Sequence, residues 1–255
     1  SGRVGSITTD IIADGLIFNM DAANRASYPA QRTFAIAESG SCFNTLDLSQ
    51  SGSFISDPGF LQPPISSSCW TFDGVDDYID CGEISPLFEY FPIGTAKDTT
   101  WSASIWVKGS SAGAFFEIPY IQSNSLNSFA FGIQYHATYG ILLGGKYAQI
   151  KIRESGATAF STTSWNHIVV TFDGVDNTAV SSYKLYIGGV SITISSPSFG
   201  LADYRTEIIA IGVGGSDGSL SYWDGSISNC QLYDRTLSST DVLHNYNALK
   251  GRFGL

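Results

Sequence analysis

The chain has 255 residues, 27 of them glycine; 14% of its residues are charged, 13% are aromatic, and the formal net charge is −10. This length suits one large all-β domain or two small ones, and the absence of a linker favours a single domain over residues 1–255 with a sizeable core. Helix-building residues are scarce, which favours a sandwich over a helical protein. The negative charge argues against nucleic acid and anionic membrane surfaces as partners, and no apolar run of the sequence reaches the length of a membrane span, so membrane insertion is not expected.

The first hundred residues alternate strand signals with turn-rich stretches. No hydrophobic signal segment follows Ser1, so the sequence is expected to be a mature, trimmed or internally targeted product. An opening strand is predicted over residues 11–20. Residues 24–68 are rich in Ser, Pro and Gly and predict a long surface loop with short strands near 33–37 and 53–55. Stronger strand patterns follow at 68–72, 77–81 and 101–108.

The middle of the chain continues as short strands separated by turn signals. Gly188-Gly189 marks a two-residue hairpin turn, because glycine tolerates positive φ. About a dozen strands with no linker between them predict two packed antiparallel sheets. The predicted strands cover residues 114–121, 129–136, 140–143, 149–152, 165–173, 183–187, 190–194, 207–213 and 225–233.

The C-terminal residues carry a helical pattern instead. Ser238 precedes an acidic first turn, and Gly251 follows the last periodic residue. Leu243, Tyr246 and Leu249 fall at helical spacing. These features predict one short helix within 237–251 that packs on the sheets.

The hexapeptide TFDGVD occurs twice, at 71–76 and at 171–176. Each copy follows a strand-like run and contains Asp-Gly, a strong reversal signal because aspartate can bond its own backbone. Both copies are therefore interpreted as strand ends that enter turns. An Asp-rich turn also offers ligands for calcium, although solvated turn carboxylates are the commoner case.

The four cysteines, Cys42, Cys69, Cys81 and Cys230, contain no C-x-x-C pair, and the three histidines are far apart in sequence. A structural zinc site is therefore not expected. Cys81 and Cys230 fall in strand-like segments, where a free cysteine behaves as a small buried hydrophobe. Cys42 and Cys69 lie in or beside loops and form the one candidate disulfide, which leaves the redox compartment undecided.

Four parts of the sequence carry a resemblance to a known family. In chain order they read GLIFNMDA (15–22), FDGVDDYI (72–79), SWNHIVVTFDG with YKLYIGG (164–174, 183–189), and IGVG with WDGSISNCQLYDRTLS (211–214, 223–238). They resemble the motifs of concanavalin A-like, laminin G-like sandwiches. The resemblance implies an all-β, two-sheet antiparallel β-sandwich, a concanavalin A-like jelly roll, with a short C-terminal helix. Such sandwiches bind glycans, bind proteins, serve as enzyme scaffolds or decorate particles, so the fold does not single out a function.

The last ten residues, YNALKGRFGL, also resemble the C-terminus of structural proteins from marine tailed bacteriophages that carry this domain. This second resemblance implies a virion surface, on the capsid or tail, with a secreted or extracellular protein as the alternative. The partner would then be a cell-surface glycan or a neighbouring virion protein, and a homo-oligomer is compatible with either.

Two clusters of aromatic residues form the candidate ligand site. Their small neighbours predict exposure, and a sugar site combines a ring face for stacking with a few polar groups. Aromatic residues in loops also close sandwich ends or form subunit contacts, so that alternative stays open. Trp106 and Trp165 lie within strand patterns and are predicted to be core residues. The candidate ligand-binding residues are Tyr135, His136 and Tyr139 in one cluster and Asp217, Tyr222 and Trp223 in the other.

A structural calcium ion is the one candidate cofactor. The resemblance places an acidic pair in the last strand, but this chain has Ser228 and Asn229 there, which are weaker calcium ligands. Asp21 and Asp224 would meet if the first and last strands paired antiparallel. Two carboxylates with turn carbonyls could then hold the ion.

Catalytic patterns are sparse. Glycosidases need two carboxylates across a sugar ring, but the six glutamates form no paired array in an apolar run. The sequence contains no Gly-x-Ser-x-Gly elbow, so a serine hydrolase is unsupported. The chain is therefore interpreted as a non-enzymatic carbohydrate- or protein-binding module. The alternatives are a purely structural decoration or assembly domain, and a glycan-cleaving enzyme whose carboxylates are brought together by folding.

Overall fold

The computed structural model describes fourteen segments of the chain. Within them, no helix is long and apolar enough to cross a membrane. The described residues are 10–24, 41–43, 51–55, 59–61, 69–83, 100–109, 113–120, 128–136, 140–143, 152–154, 159–176, 179–195, 208–216 and 219–255.

The first sheet contains eight of the described strands. In order they are β14 (Val190–Ile192), β13 (Tyr183–Ile187), β12 (Asn166–Phe172), β7 (Trp101–Gly109), β19 (Asp224–Tyr233), β5 (Cys69–Asp73) and β4 (Gly59–Leu61), with β1 (Leu16–Asp21) also on β19. Each pair runs antiparallel. Along one edge of β19, β5 pairs with its first half and β1 with its second half.

The second sheet contains nine of the described strands, again paired antiparallel. Their order is β15 (Ile194–Ser195), β11 (Ile152–Glu154), β10 (Gly140–Leu143), β9 (Ser128–His136), β8 (Gly113–Tyr120), β16 (Ile208–Ile211), β6 (Tyr78–Glu83), β3 (Ser51–Ile55) and β2 (Ser41–Phe43). A separate hairpin joins β17 (Val213–Ser216) to β18 (Ser219–Tyr222). The predicted two-sheet antiparallel sandwich is confirmed.

The period-2 pattern of the strands separates the core from the outer face of the first sheet. β7 and β12 show this clearly: Ile105 pairs with Ile168 and both belong to the core cluster between the sheets, whereas Trp106 pairs with His167 on the other face. The large buried side chains of this core include Trp70, Phe18, Phe72 and Trp223. Ile79, Ile133 and Ile211 meet them from the second sheet.

The outer face of the first sheet is covered by the predicted helix, α1 (Ser239–Lys250). Ser238 Oγ accepts a hydrogen bond from Asp241 N at 3.1 Å, and the Asp241 carboxylate accepts one from Ser238 N at 3.0 Å. This capping box fixes the start of the helix. Val242 and Leu249 are fully buried on the sheet beneath it, so the helix prediction is confirmed.

The two tryptophans that were predicted as core differ in burial. Trp106 is fully buried, with its ring 4.3 Å from that of Phe253 and 4.9 Å from that of His167, which confirms the prediction. Trp165 is only partly buried and contacts Phe253 at 4.6 Å. Trp165 precedes β12 and packs against the cluster around Trp106, so its place beside the core is as predicted and its full burial is not.

The Cys42–Cys69 disulfide does not form, because Cys69 is a buried free thiol. Cys42 lies in β2 of the second sheet and Cys69 in β5 of the first. The short strand predicted at 53–55 falls within β3, whereas the one predicted near 33–37 lies outside the described residues.

Candidate functional site

The two TFDGVD copies form closely similar turns. Asp73 Oδ1 accepts a hydrogen bond from Val75 N at 2.8 Å, and Asp173 Oδ1 accepts one from Val175 N at 2.9 Å. The glycine between them has a φ of 78° in the first copy and 77° in the second, a left-handed conformation that favours glycine. The repeat therefore encodes one turn twice, as its Asp-Gly pair predicts.

The two turns lie at opposite ends of the first sheet. Asp73 ends β5 and pairs with Asp224, next to the C-terminal end of β7. Phe172, which precedes the second turn, pairs with Trp101 at the start of β7. The length of β7 thus separates the turns, and different side chains surround them.

The first turn gathers several carboxylates. Single oxygens of Asp73, Asp76 and Asp77 all lie within 4.8 Å of one another. Asp77 Oδ2 also accepts a hydrogen bond from Asp73 N at 3.0 Å, which joins the two ends of the turn. Asp224 packs against the same turn, since a Cβ placed on Gly74 would lie 2.8 Å from the Asp224 Cβ.

Two partly exposed tyrosines stand beside these carboxylates. Tyr78 begins β6 and Tyr222 ends β18; their ring centroids are 6.5 Å apart and their planes are inclined by 42°. Burial raises the pKa of the Tyr78 phenol, with further increases from Asp80 and Tyr222, and burial followed by the charge of Asp76 raises the pKa of Tyr222. Both phenols therefore remain protonated donors at neutral pH. We call this group the acidic–aromatic rim: Asp73, Asp76, Asp77, Tyr78, Tyr222 and Asp224.

The acidic–aromatic rim offers groups that can bind a cation and groups that can bind a sugar. Carboxylate oxygens accept hydrogen bonds from hydroxyl groups and are the ligands that calcium prefers. Asp73 and Asp224 are cross-strand partners, and like charges in that position destabilise a sheet unless a ligand neutralises them. The tyrosine rings add apolar faces for a flat ligand.

Two residues of the predicted ligand site are corrected by the structure. Trp223 is fully buried, with its ring 6.4 Å from Phe160 in an edge contact. Tyr135 is buried and stacks on the same phenylalanine at 4.4 Å. Both rings fill the core between the sheets, so neither presents a face to a ligand.

Of the other predicted site residues, the two that the structure describes lie apart from each other. Tyr222 and His136 are both partly exposed. His136 lies at the end of β9, and β8 and β16 separate β9 from β6, which puts about 14 Å between the strands of His136 and Tyr78. Tyr222 belongs to the acidic–aromatic rim, and His136 stays a separate prediction. Tyr139 and Asp217 lie outside the described residues.

The predicted calcium pair Asp21 and Asp224 is also corrected. The first and last strands do pair antiparallel, but their register sets Asp21 opposite Asn229, five residues from Asp224. Both carboxylate oxygens of Asp21 accept hydrogen bonds from the Arg252 guanidinium, at 2.7 and 2.9 Å. Asp21 therefore forms a buried ion pair with Arg252. Among the described residues, the carboxylates close enough together to share a metal ion are those of Asp73, Asp76 and Asp77.

His167 has a structural role in this fold. Its Nε2 lies 2.9 Å from Ser104 Oγ, and its ring stacks on Trp106. Burial lowers the pKa of His167 to about 3, so the ring is neutral at physiological pH. Its place under α1, where it also stacks on Tyr246, makes His167 a packed, hydrogen-bonded residue of the fold.

Residues 73–243 match the family model Laminin_G_3, described as the concanavalin A-like lectin/glucanases superfamily. This match covers about two thirds of the sequence, and the chain belongs to that family. No curated protein matches the sequence.

Solved structures with the same fold include glycan-binding and glycan-cleaving proteins. A sialidase from Trypanosoma rangeli, in complex with sialic acid, has a TM-score of 0.59 at 13% identity over 97% of this chain, and the chain spans 36% of that protein. Domain 4 of AbnA, a GH43 extracellular arabinanase from Geobacillus stearothermophilus in complex with arabinotriose, has a TM-score of 0.56 at 16% identity, covering 91% of this chain and 98% of the domain. The binding domain of Paraclostridial Mosquitocidal Protein 1 has a TM-score of 0.59 at 12% identity, covering 91% of this chain and 52% of that one. At these identities the likeness shows the fold alone.

Sequence reasoning missed Tyr78, Asp76 and Asp77 as members of one site. The signal was present in FDGVDDYI, which was interpreted as a strand end and a turn. The proximity of Tyr222 depends on the β17–β18 hairpin, far away in sequence, so spacing alone could not reveal the pair.

Proposed function

We propose that the protein is a non-enzymatic carbohydrate-binding module whose ligand contacts the acidic–aromatic rim. The observation that supports this most is the position of Tyr78 and Tyr222, 6.5 Å apart, beside the carboxylates of the first turn. Sugar sites combine a ring face with a few polar groups that fix orientation. Here the phenols would donate hydrogen bonds to the glycan, and the carboxylates would accept them from its hydroxyl groups.

The spacing of the carboxylates favours binding over hydrolysis. Glycosidases hold their two carboxyl groups about 5–9.5 Å apart on either side of a sugar. Here the three carboxylates belong to a single five-residue turn rather than to two sides of a ligand, and Asp73 and Asp77 each also accept a backbone hydrogen bond. This arrangement suits a cation or a hydroxyl group better than a sugar ring placed between an acid and a base.

We also propose that the module is displayed on a virion or another extracellular surface. The support is the resemblance of YNALKGRFGL to phage structural proteins. A cell-surface glycan is then the expected partner, with a neighbouring virion protein as the alternative. A single rim would bind weakly, and a homo-oligomer or a particle array would strengthen attachment through multivalency.

Replacing Tyr222 with alanine is expected to weaken glycan binding about tenfold or more, because one stacking face and one donor are lost. Tyr222→Phe keeps the ring and should retain most of the affinity. Thermal unfolding of both variants should stay near that of the parent, since Tyr222 is only partly buried. Glycan-array screening followed by calorimetry with the best ligand makes the measurement. Undiminished binding by both Tyr222→Ala and Tyr78→Ala would place the ligand elsewhere.

We propose that Asp73, Asp76 and Asp77 hold a calcium ion. Millimolar calcium should then raise the melting temperature by several degrees, because an ion at about 100 times its dissociation constant stabilises the folded state by about 2.7 kcal/mol. Asp76→Asn should abolish most of this gain. Asp176→Asn, the equivalent change in the second TFDGVD turn, is the matched control and should keep it. Equal responses from the two variants would contradict the site.

A further inference from the structure

The acidic–aromatic rim concentrates negative charge around its two tyrosines. Four of its six residues are aspartates. Asp73, Asp76 and Asp224 form no ion pair within the described part of the chain, where the arginine pairs use Asp14, Asp21 and Asp241 instead. Lys108, which is exposed, lies opposite Ser226, two residues along β19 from Asp224.

Within the described part of the chain, the counter-charges near the rim do not reverse its negative sign. With four ionised carboxylates, one bound calcium ion leaves a net charge of −2, and Lys108 would leave −1. The effect of Asp76 and Asp80 on the phenol pKa values agrees with a negative potential at the tyrosines, in addition to the larger effect of burial. A ligand that stacks on these rings therefore enters a negative field.

From this charge distribution, and resting on the carbohydrate-binding function proposed above, we infer that the rim selects glycans whose contacting sugars are neutral or carry a protonated amine, and rejects sialic and uronic acids. A sugar carboxylate about 6 Å from one rim carboxylate loses about tenfold in affinity at an intermediate dielectric, and several such carboxylates surround the site. Hydroxyl groups and ammonium groups find acceptors on the same oxygens. The sialic acid bound by the T. rangeli sialidase is thus outside the expected ligand class, although the fold is shared.

The test is a glycan array that carries matched pairs, each with and without an acidic sugar. Lactose with 3′-sialyllactose and xylotriose with its glucuronic acid derivative are two such pairs, and the acetylated and deacetylated glucosamine trimers test the amine. Binding confined to neutral and amino glycans supports the inference. Binding of acidic members at least as strong as that of their neutral counterparts overturns it and leaves the proposed function standing. Binding to no glycan overturns both.

A charge variant then tests the cause of the selectivity. In Asp76→Asn/Asp224→Asn, the ratio of neutral to acidic glycan affinity should fall about tenfold relative to the parent, whatever the absolute affinities become. Asp176→Asn should leave the ratio unchanged. The parent's ratio should also shrink as salt is raised from low ionic strength, because exposed charges are screened. A ratio that neither the double variant nor salt alters would show that the carboxylates do not set the selectivity.

Discussion

Replacing Arg252 with alanine is expected to lower the free energy of unfolding by about 3 kcal/mol, because it leaves the Asp21 carboxylate buried without its cation. The two side chains are 10% and 4% exposed and form paired hydrogen bonds at 2.7 and 2.9 Å. For a chain of this length the melting temperature should fall by about 6–12 °C. Arg252 also donates to Ser228 Oγ at 3.3 Å, so its loss affects two strands at once.

Two further variants identify the cause of that loss. Asp21→Asn combined with Arg252→Ala removes the buried charge and should recover part of the lost stability. Lys184→Ala, at an exposed position of β13, should change stability by less than about 0.5 kcal/mol and controls for the loss of a cation. If chemical denaturation of Arg252→Ala matches the parent, the ion pair contributes nothing to the stability of the fold.

The elements of this fold were predictable where the pattern is local. Gly188 and Gly189 both have positive φ, at 60° and 80°, as the hairpin turn between β13 and β14 requires. The helix begins after Ser238 with the acidic residue in its first turn, as the sequence indicates. In these cases each feature needs only a few neighbouring residues. That residues 1–255 form one domain stays a prediction.

The register between distant strands was not predictable. The sequence allowed pairing of the first and last strands, but their register, which shifts between Leu16 and Phe18 in β1, could not be predicted. A bulge shifts the register of every residue pair after it, and the local sequence does not indicate where it occurs. The register places Asp21 opposite Asn229, five residues from Asp224. Asp21 instead contacts Arg252, 231 residues away in sequence.

The predicted exposure of Tyr135 and Trp223 was wrong for a related reason. Gly, Ser and Thr beside an aromatic residue suggested exposure, but small residues also leave room for a large ring. An added Cβ at Gly109, on β7, would overlap the ring of Trp223. Cross-strand glycines of this kind belong to other segments of the chain, so the sequence around Trp223 could not show that its ring enters the core.

Replacing Trp223 with alanine is therefore expected to destabilise the sandwich by about 3–5 kcal/mol rather than to affect a ligand directly. The ring is fully buried, contacts Phe160 and fills the space above Gly109, so its removal leaves a cavity in the core. Trp223→Phe should cost clearly less. Tyr222→Ala, the neighbouring position on the surface, is the matched control and should cost no more than about 1.5 kcal/mol. Chemical denaturation provides the comparison. A Trp223→Ala variant as stable as Tyr222→Ala would show that the ring faces solvent, and it would restore Trp223 as a candidate for the glycan platform.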